Sequence, residues 1–393
     1  MNKELTMEKA SLPDGWEMKT LGEVCDLKSG KTISKSIERS EGEILYIKVG
    51  DMNLKGNENY IQVSNRFVDE IDIKANQIIP IGSIIFPKRG GAIATNKKRR
   101  IVKPTIVDLN TMALVPSKII NKDYLFHWFQ KIDLAELSNG ANIPQINNYS
   151  FDNVLISFPK SLTQQKQIVA LLDKAFTAIA TAKANAQQNL QNAKELFESY
   201  LQNVFENKGD DWEENTLEQI SESIFAGGDK PKDAFSKEVT TEYNVPIFAN
   251  AVKKRGLYGY TNKARVLKPS VTISARGSGT GHTELRKMKY YPIVRLIVVI
   301  PNSEIMDLQF LKHSIDNLDI LRSGSAIPQL TVPMMKEYKL AFPKIEKQKQ
   351  IVNKLDILSA ETKKLEAIYT QKIADLEEMK KSVLQKAFSG QLL

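Results

Sequence analysis

Cysteine is nearly absent: the 393 residues hold one, Cys25. A lone thiol makes no internal disulfide and supports no cysteine-rich zinc site. Such sparse cysteine points to a reducing compartment, so a cytoplasmic location is expected. Histidine is scarce too, with three in the chain. Long apolar runs are missing. The most apolar stretch, Ile293 to Ile300, is interrupted by Arg295 and is far too short to span a bilayer. Met1 to Ala10 mixes lysine with glutamate around no apolar centre, so neither a signal peptide nor a membrane partner is expected. Glycine and proline vanish from Thr163 to Glu206 and again from Glu346 to Ser389. Segments free of both breakers are where long helices belong.

What is present is present twice. Trp16-Glu17-Met18-Lys19-Thr20-Leu21 returns as Trp212-Glu213-Glu214-Asn215-Thr216-Leu217. Ile143-Pro144-Gln145 returns as Ile327-Pro328-Gln329, and Phe158-Pro159-Lys160 as Phe342-Pro343-Lys344. Gln165-Lys166-Gln167-Ile168-Val169 returns as Gln348-Lys349-Gln350-Ile351-Val352. The order is kept, which suggests a pseudo-two-fold body suited to a partner with two similar halves. The length allows two or three domains with real cores. A formal net charge of +9 favours a polyanionic partner.

Each copy has a mixed part and a helical part. In the first mixed part, Ile44 to Val49 and Ile78 to Phe86 read as strands. Asn121 to Leu137 reads as a helix with Asn121 as N-cap and Tyr124, Leu125, Trp128 and Phe129 on its apolar face. In the second, Val245 to Phe248, Val271 to Ala275 and Ile293 to Ile300 read as strands, and Leu308 to Leu321 as the matching helix. Both mixed parts are expected to be α+β with a twisted, largely antiparallel sheet. The helical parts carry heptad seams. Ile168, Leu172, Ala175, Ile179, Ala182 and Ala186 continue through a stutter into Leu190, Ala193, Phe197, Tyr200 and Val204. Ile351, Leu355, Leu358, Thr362, Leu365 and Tyr369 continue into Ile373, Leu376, Met379 and Val383. Gly209 and Gly390 sit where C-caps belong. Helices of this length, roughly 65 Å each, need partners, and the simplest is each other, antiparallel. The expected domains are residues 1–160 and 209–344, separated by long helices over 161–208 and 345–393.

The basic residues cluster in the mixed parts. Phe86 to Pro104 carries Lys88, Arg89, Lys97, Lys98, Arg99, Arg100 and Lys103, with Asn96 among them and no acid. Tyr243 to Thr283 carries Lys253, Lys254, Arg255, Lys263, Arg265, Lys268 and Arg276, interleaved with Tyr258, Tyr260, Ser278 and Thr280, again without an acid. Lys and Arg neutralise phosphates, and Arg, Asn, Ser and Thr can also read base edges. A charge run is commonly a solvated loop. Here both runs abut a strand ending in Arg-Gly, which favours nucleic-acid contact over that plainer reading. Catalytic motifs fail. Gly277-Ser278-Gly279-Thr280-Gly281 lacks the spacing and the Gly-Lys-Ser/Thr ending of a P-loop. Pro13-Asp14 with Glu17-Met18-Lys19 mimics a nuclease signature, but its acids stand too close in sequence to come from separate strands around a metal. His282 and Glu284 lack a third ligand nearby, and His127 sits among aromatic residues as helix packing. No Pro-Pro dipeptide provides the amine pocket of amino-methyltransferases. No catalytic residue, cofactor site or metal site is expected in this chain.

With repeat, helices and basic loops together, the chain resembles the DNA-specificity subunits of type I restriction-modification systems over nearly its whole length. The resemblance is carried by Leu12-Pro13-Asp14-Gly15-Trp16 with Leu21-Gly22, by Trp212 with Leu217, and by Gly82 to Phe86 with Arg89-Gly90 and its counterpart Val271 to Gly277. Both Ile-Pro-Gln motifs, both Gln-Lys-Gln-Ile-Val helix starts and the ending Ser382 to Gly390 complete it. The family usually has Glu before the first Gln of each helix start; here Gln164 and Lys347 stand there. The first helix ends in Gln202 to Glu206 without the Gly-ending form of the C-terminus. The resemblance implies a non-catalytic reader of double-stranded DNA. Each mixed domain would be a target-recognition domain for one half of a split, asymmetric site, and the two half-sites would differ. The helices would act as a ruler and dock two methyltransferase subunits that use S-adenosylmethionine, joined by restriction and translocase subunits that use ATP and Mg2+. Two other readings compete: a stand-alone DNA nuclease or methyltransferase, and a coiled-coil scaffold without a nucleic-acid role.

Overall fold

The computed structural model of the chain describes residues 12–140, 142–318 and 329–392. The helices are α1 (Leu21–Val24), α2 (Lys122–Gln130), α3 (Leu162–Glu206), α4 (Leu308–Asp316), α5 (Val332–Glu337) and α6 (Ile345–Phe388). Both breaker-free segments are thus unbroken helices: α3 starts one residue before the span read in the sequence and ends with it, and α6 is shifted one residue toward the N-terminus. The seam read for α3 is its covered stripe: Ile168, Leu172, Ile179, Ala186 and Ala193 are buried and the other seam positions half-buried. On α6 the seam holds except at Leu365 and Met379, which lie open. Gly390 does cap α6. Its φ is +76°, and Gln391 N donates to Lys386 O at 2.9 Å across it, the closing bond of a Schellman motif. Gly209 is no cap: α3 stops at Glu206, and Gly209 is not among the glycines of positive φ.

The chain forms two compact units, and they cut across the division into domains and helices read in the sequence. Residues 1–186 with 371–393 make one unit, and residues 187–370 make the other. Each unit therefore takes half of α3 and half of α6. In the first unit these halves run antiparallel: Lys183 pairs with Glu377, and Lys380 lies over the Phe176 ring. In the second unit Lys354 lies over the Tyr200 ring, while Leu201 and Val204 pack into the same core as Ile351 and Val352. The reason for the partition is burial. The first unit's core takes Ile168 and Leu172 from α3 and Leu384, Ala387 and Phe388 from α6. The second takes Phe205 from α3 and Val352 from α6.

Each unit's mixed part holds three small sheets where one was expected. In the first unit, five strands run in the order Cys25–Ser29, Thr111–Pro116, Ile84–Pro87, Arg99–Ile101 and Tyr60–Ile61. Three run Phe67–Val68, Ile44–Ile47 and Thr105–Val107. The second unit has four strands, Ser221–Ala226, Ile297–Pro301, Ser270–Ile273 and Thr283–Arg286, and three, Leu257–Thr261, Val245–Phe248 and Tyr291–Pro292. Pairing is mostly antiparallel, with one parallel pair in the second unit and two in the first. The third sheet explains two repeated motifs. Trp16–Thr20 pairs with Leu155–Pro159, and Glu213–Thr216 with Lys339–Phe342, so each Trp-Glu start is zipped to the Phe-Pro strand that precedes a long helix.

Several elements are shorter than the apolar pattern predicts. The strand expected over Ile293 to Ile300 starts at Ile297, because Val294 and Arg295 turn the chain with φ of +53° and +58°. The strand over Ile78 to Phe86 starts at Ile84, after a turn in which Ser83 N donates to Pro80 O at 3.1 Å. The strand from Ile44 stops at Ile47 before a 3-10 turn over Val49–Asn53. Helix α2 stops at Gln130, and α4 at Asp316; the end expected for the latter, 319–321, lies outside the described residues, as do Met1 to Ala10 and Ile327-Pro328. The cap at Asn121 is as read: its side chain accepts from Asp123 N and Tyr124 N. Asp307 does the same for α4.

The Gln-Lys-Gln-Ile-Val motif has a mechanical role. Gln165 is fully buried. Its Oε1 accepts from Asn121 N at 2.6 Å, and its Nε2 donates to Ile119 O at 3.1 Å and Pro159 O at 2.8 Å. Gln348 repeats this with Asp307 N, Ile305 O and Pro343 O, all at 2.8 Å. In both copies the glutamine binds the cap residue of the short helix to the start of the long one.

The short helices carry a second matched pair. His127 and His313 occupy the sixth position of α2 and α4. Burial pushes both imidazoles below their ordinary value, although His127 bonds Asp173 of α3 at 2.8 Å. Each is held neutral in the fold while the unfolded chain protonates normally. This contribution to stability is therefore present above the ordinary histidine value and lost as pH falls. Melting temperature is expected to drop as pH is lowered from about 6.5 toward about 5, and the drop should flatten in the double variant His127→Gln, His313→Gln. Identical pH profiles for both proteins would remove the histidines from the account.

Candidate nucleic-acid interface

The first basic run divides in the structure. Lys88 and Arg89 follow the strand Ile84–Pro87. Lys88 is half-buried and donates to Ser29 Oγ at 2.9 Å, and burial lowers its pKa. Arg89 is exposed. Lys97 bonds the Asn53 side chain. Lys98 departs from the expectation. It is 2% exposed, and its Nζ donates to Asn96 Oδ1 at 2.8 Å and Ile132 O at 2.6 Å. It also lies 5.2 Å from the Phe129 ring centre, and burial brings its pKa down to about 8. Asn96 is turned inward too. It adopts left-handed φ, and Oδ1 also accepts from Leu134 N at 3.0 Å. Arg100 is likewise committed to the fold: it pairs with Asp123 and lies 4.5 and 4.9 Å from the ring centres of Tyr60 and Phe126. Arg99 donates to Lys98 O at 3.0 Å and Met52 O at 3.3 Å. A run that looks like four equal phosphate contacts is largely a brace, because its carbonyl and aromatic partners come from distant parts of the chain. Neutralising residues 97 to 100 together would test folding as much as binding.

The second run is more open. Lys253, Lys254 and Arg255 form an exposed turn in which Lys254 and Arg255 have φ of +51° and +53°. Glu284 holds Arg255 at 2.7 Å and lies 3.2 Å from His282. Arg286, buried and lowered to about 10 by that burial, donates to Arg255 O at 2.7 Å from beneath the turn. Tyr258 is exposed beside Phe235, and Lys230 covers the Phe235 ring at 4.5 Å. Tyr260 is half-buried, while Lys263 and Arg265 are exposed. Arg265 lies 5.0 Å from the Phe225 ring centre. Arg276 donates to Gln329 Oε1 at 2.9 Å. Ser278 is exposed, and Thr280 closes a tight turn by donating Oγ1 to Gly277 O at 2.7 Å. Sequence reasoning missed Asn250, which accepts from Ala275 N and Arg276 N and donates to Arg276 O at 2.8 Å. It also missed Arg286, which reads as one more surface cation. Neither position carries a local signal, since the role of each depends on a strand far away in sequence.

Two half-domains of one design, each with exposed cations beyond a central strand, match a known family. The model of the type I restriction modification DNA specificity domain matches residues 13–192 and 209–377. The chain belongs to that family. It is similar to a type I specificity subunit of Mycoplasma pneumoniae, with 26% identity over 86% of this chain and 87% of that one. Its fold is that of the HsdS subunit from Thermoanaerobacter tengcongensis, with TM-score 0.67, 18% identity and coverage of 97% of this chain and 98% of that one. A chain from a structural study of type I R-M assembly and conformational transition gives TM-score 0.73 at 18% identity, covering 97% and 99%. The specificity subunit is the non-catalytic, DNA-recognising component of its system and acts with partner subunits; a stand-alone nuclease or methyltransferase is not favoured. Among the described residues no group of three or more His, Cys, Asp or Glu is placed to hold a metal, and no helix is long and apolar enough to cross a membrane.

Proposed function

We propose that each mixed domain binds one half of a bipartite, asymmetric site in double-stranded DNA, and that α3 and α6 set the spacer and dock two methyltransferase subunits. The observation that carries this reading is the duplication itself: the same strand-turn-cation arrangement occurs in both units, while the loops around it differ in length and sequence. Unequal loops on equal scaffolds suit two unequal half-sites. Docking is supported by apolar side chains left open on the long helices, among them Leu171 and Leu196 on α3 and Ile357, Ile368 and Met379 on α6. The exposed candidates Arg89, Lys253, Lys254, Lys263 and Arg265 supply the phosphate charge. S-adenosylmethionine would belong to the methyltransferase partners, and ATP and Mg2+ to restriction subunits, all in the cytoplasm.

The test is an exchange of domains. Residues 212–344 are replaced by the equivalent domain of a relative, and methylation is mapped across a genome carrying the hybrid and its partner. The expected outcome is a methylated motif altered in one half only. A motif altered in both halves would contradict independent reading.

A further inference from the structure

Two repeated motifs, Arg-Gly and the glutamine of Ile-Pro-Gln, meet in both units. Arg89 faces Gln145 in an antiparallel bridge, and Arg276 faces Gln329 in another. Ile146 N donates to Lys88 O at 2.8 Å and Gly90 N to Pro144 O at 2.8 Å; Leu330 N donates to Ala275 O at 2.9 Å in the second copy. The glycine after each arginine has positive φ, +72° at Gly90 and +83° at Gly277. A Cβ at either would meet nothing within 4 Å, so the glycine serves the path of the backbone and not a lack of room. The result in both units is an exposed arginine pinned by its backbone just beyond a central strand. Arg89 has no side-chain hydrogen bond or ion pair among the described residues. Among the described residues Arg276 spends one N–H on Gln329 Oε1, against the five donors that a guanidinium carries.

The two domains differ in most of their residues outside the repeated motifs. Residues that distinguish one half-site from the other must therefore lie where the domains differ. A device kept in both serves what both half-sites share, and every stretch of duplex shares its phosphate backbone. We infer that Arg89 and Arg276 are matched phosphate clamps that set the register of each domain on the duplex and do not read bases. This rests on the half-site reading above. A guanidinium suits the task because it meets a phosphate with two parallel N–H donors. Holding its backbone by a bridge on one side and a glycine turn on the other lowers the ordering cost of that contact.

The test uses the full chain assembled with its methyltransferase partner, as wild type and as Arg89→Ala, Arg276→Ala, Arg89→Lys and Arg276→Lys. Binding is measured over a range of salt on two duplexes, one with the site found by methylation mapping and one scrambled. Each alanine variant is expected to weaken binding to both duplexes equally, by about tenfold. The slope of log affinity against log salt should fall by about one, and the methylated motif should stay the same. The lysine variants should keep the slope and recover part of the affinity. A relaxed or altered base in either half-site, a loss confined to the specific duplex, or an unchanged slope would overturn the inference. Wild-type protein that directs no bipartite methylation would instead overturn the half-site reading, on a separate sample.

Discussion

Gln165→Ala is expected to destabilise the chain by about 3 to 4 kcal/mol, which is large against ordinary single substitutions. The side chain is fully buried, and its removal takes the partner from one backbone N–H and two carbonyls, of which the Pro159 carbonyl is buried and the Asn121 and Ile119 groups are part-buried. Each such loss costs about 1 to 3 kcal/mol, discounted where neighbours relax. Gln348→Ala should behave alike in the second unit, since its three partners are the structural equivalents of the first three. The control lies two residues on. Gln167 and Gln350 belong to the same motif but are exposed, and their replacement by alanine should stay within about 0.5 kcal/mol. Chemical denaturation of the four variants decides the matter. Equal losses at Gln165 and Gln167 would mean that the motif acts through helix propensity and not as a latch.

Four residues inserted after Ala184 should lengthen the recognised spacer by one or two base pairs without changing either half-site. Four residues add about 6 Å of helix while nearly keeping the apolar face in phase. That matches close to two base pairs at about 3.4 Å each. Ala184 is exposed between half-buried Ala182 and buried Ala186, so the insertion begins on the open face of α3. The Lys183–Glu377 pair precedes it and can stay in place, while α6 must slide or bulge beyond. Methylation mapping in cells carrying the longer chain gives the readout. An active variant with an unaltered spacer would separate the helix from the ruler role proposed for it.

The sequence was most legible where structure depends on neighbours in the chain. Breaker-free composition located α3 and α6 to within a residue, the heptad seams matched the covered stripe almost throughout, and Asn121 was recognisable as a cap because a cap needs only the next three residues. Legibility fell where a partner comes from far away. Lys98 reads as a surface cation, but its burial depends on Ile132 and Phe129. Arg100 needs Tyr60 and Phe126 to become a brace. Apolar runs overstate the strands because they continue through turns, such as that at Val294 and Arg295, which no residue type there announces. The Gln-Lys-Gln-Ile-Val motif is visible as a repeat, yet its role as a latch emerges only from backbone groups contributed by two separate segments, 119–121 with 159 in one copy and 305–307 with 343 in the other.

The wrapping of the chain has a consequence for its synthesis. Domains generally fold as they leave the ribosome, the N-terminal one first. Here the first unit needs Leu384, Ala387 and Phe388 to complete its core. Ser157 Oγ donates to Phe388 O at 2.7 Å, and Tyr124 meets the Phe388 ring edge-on. None of these contacts exists until residues 384–388 have been made, after the whole of the second unit. The second unit, residues 187–370, has all its sequence beforehand. A nascent chain therefore carries an unfinished first unit through the making of the second, with the apolar side chains that pack on Phe388 left uncovered, and a frameshift after residue 370 would damage a unit most of whose residues are already made.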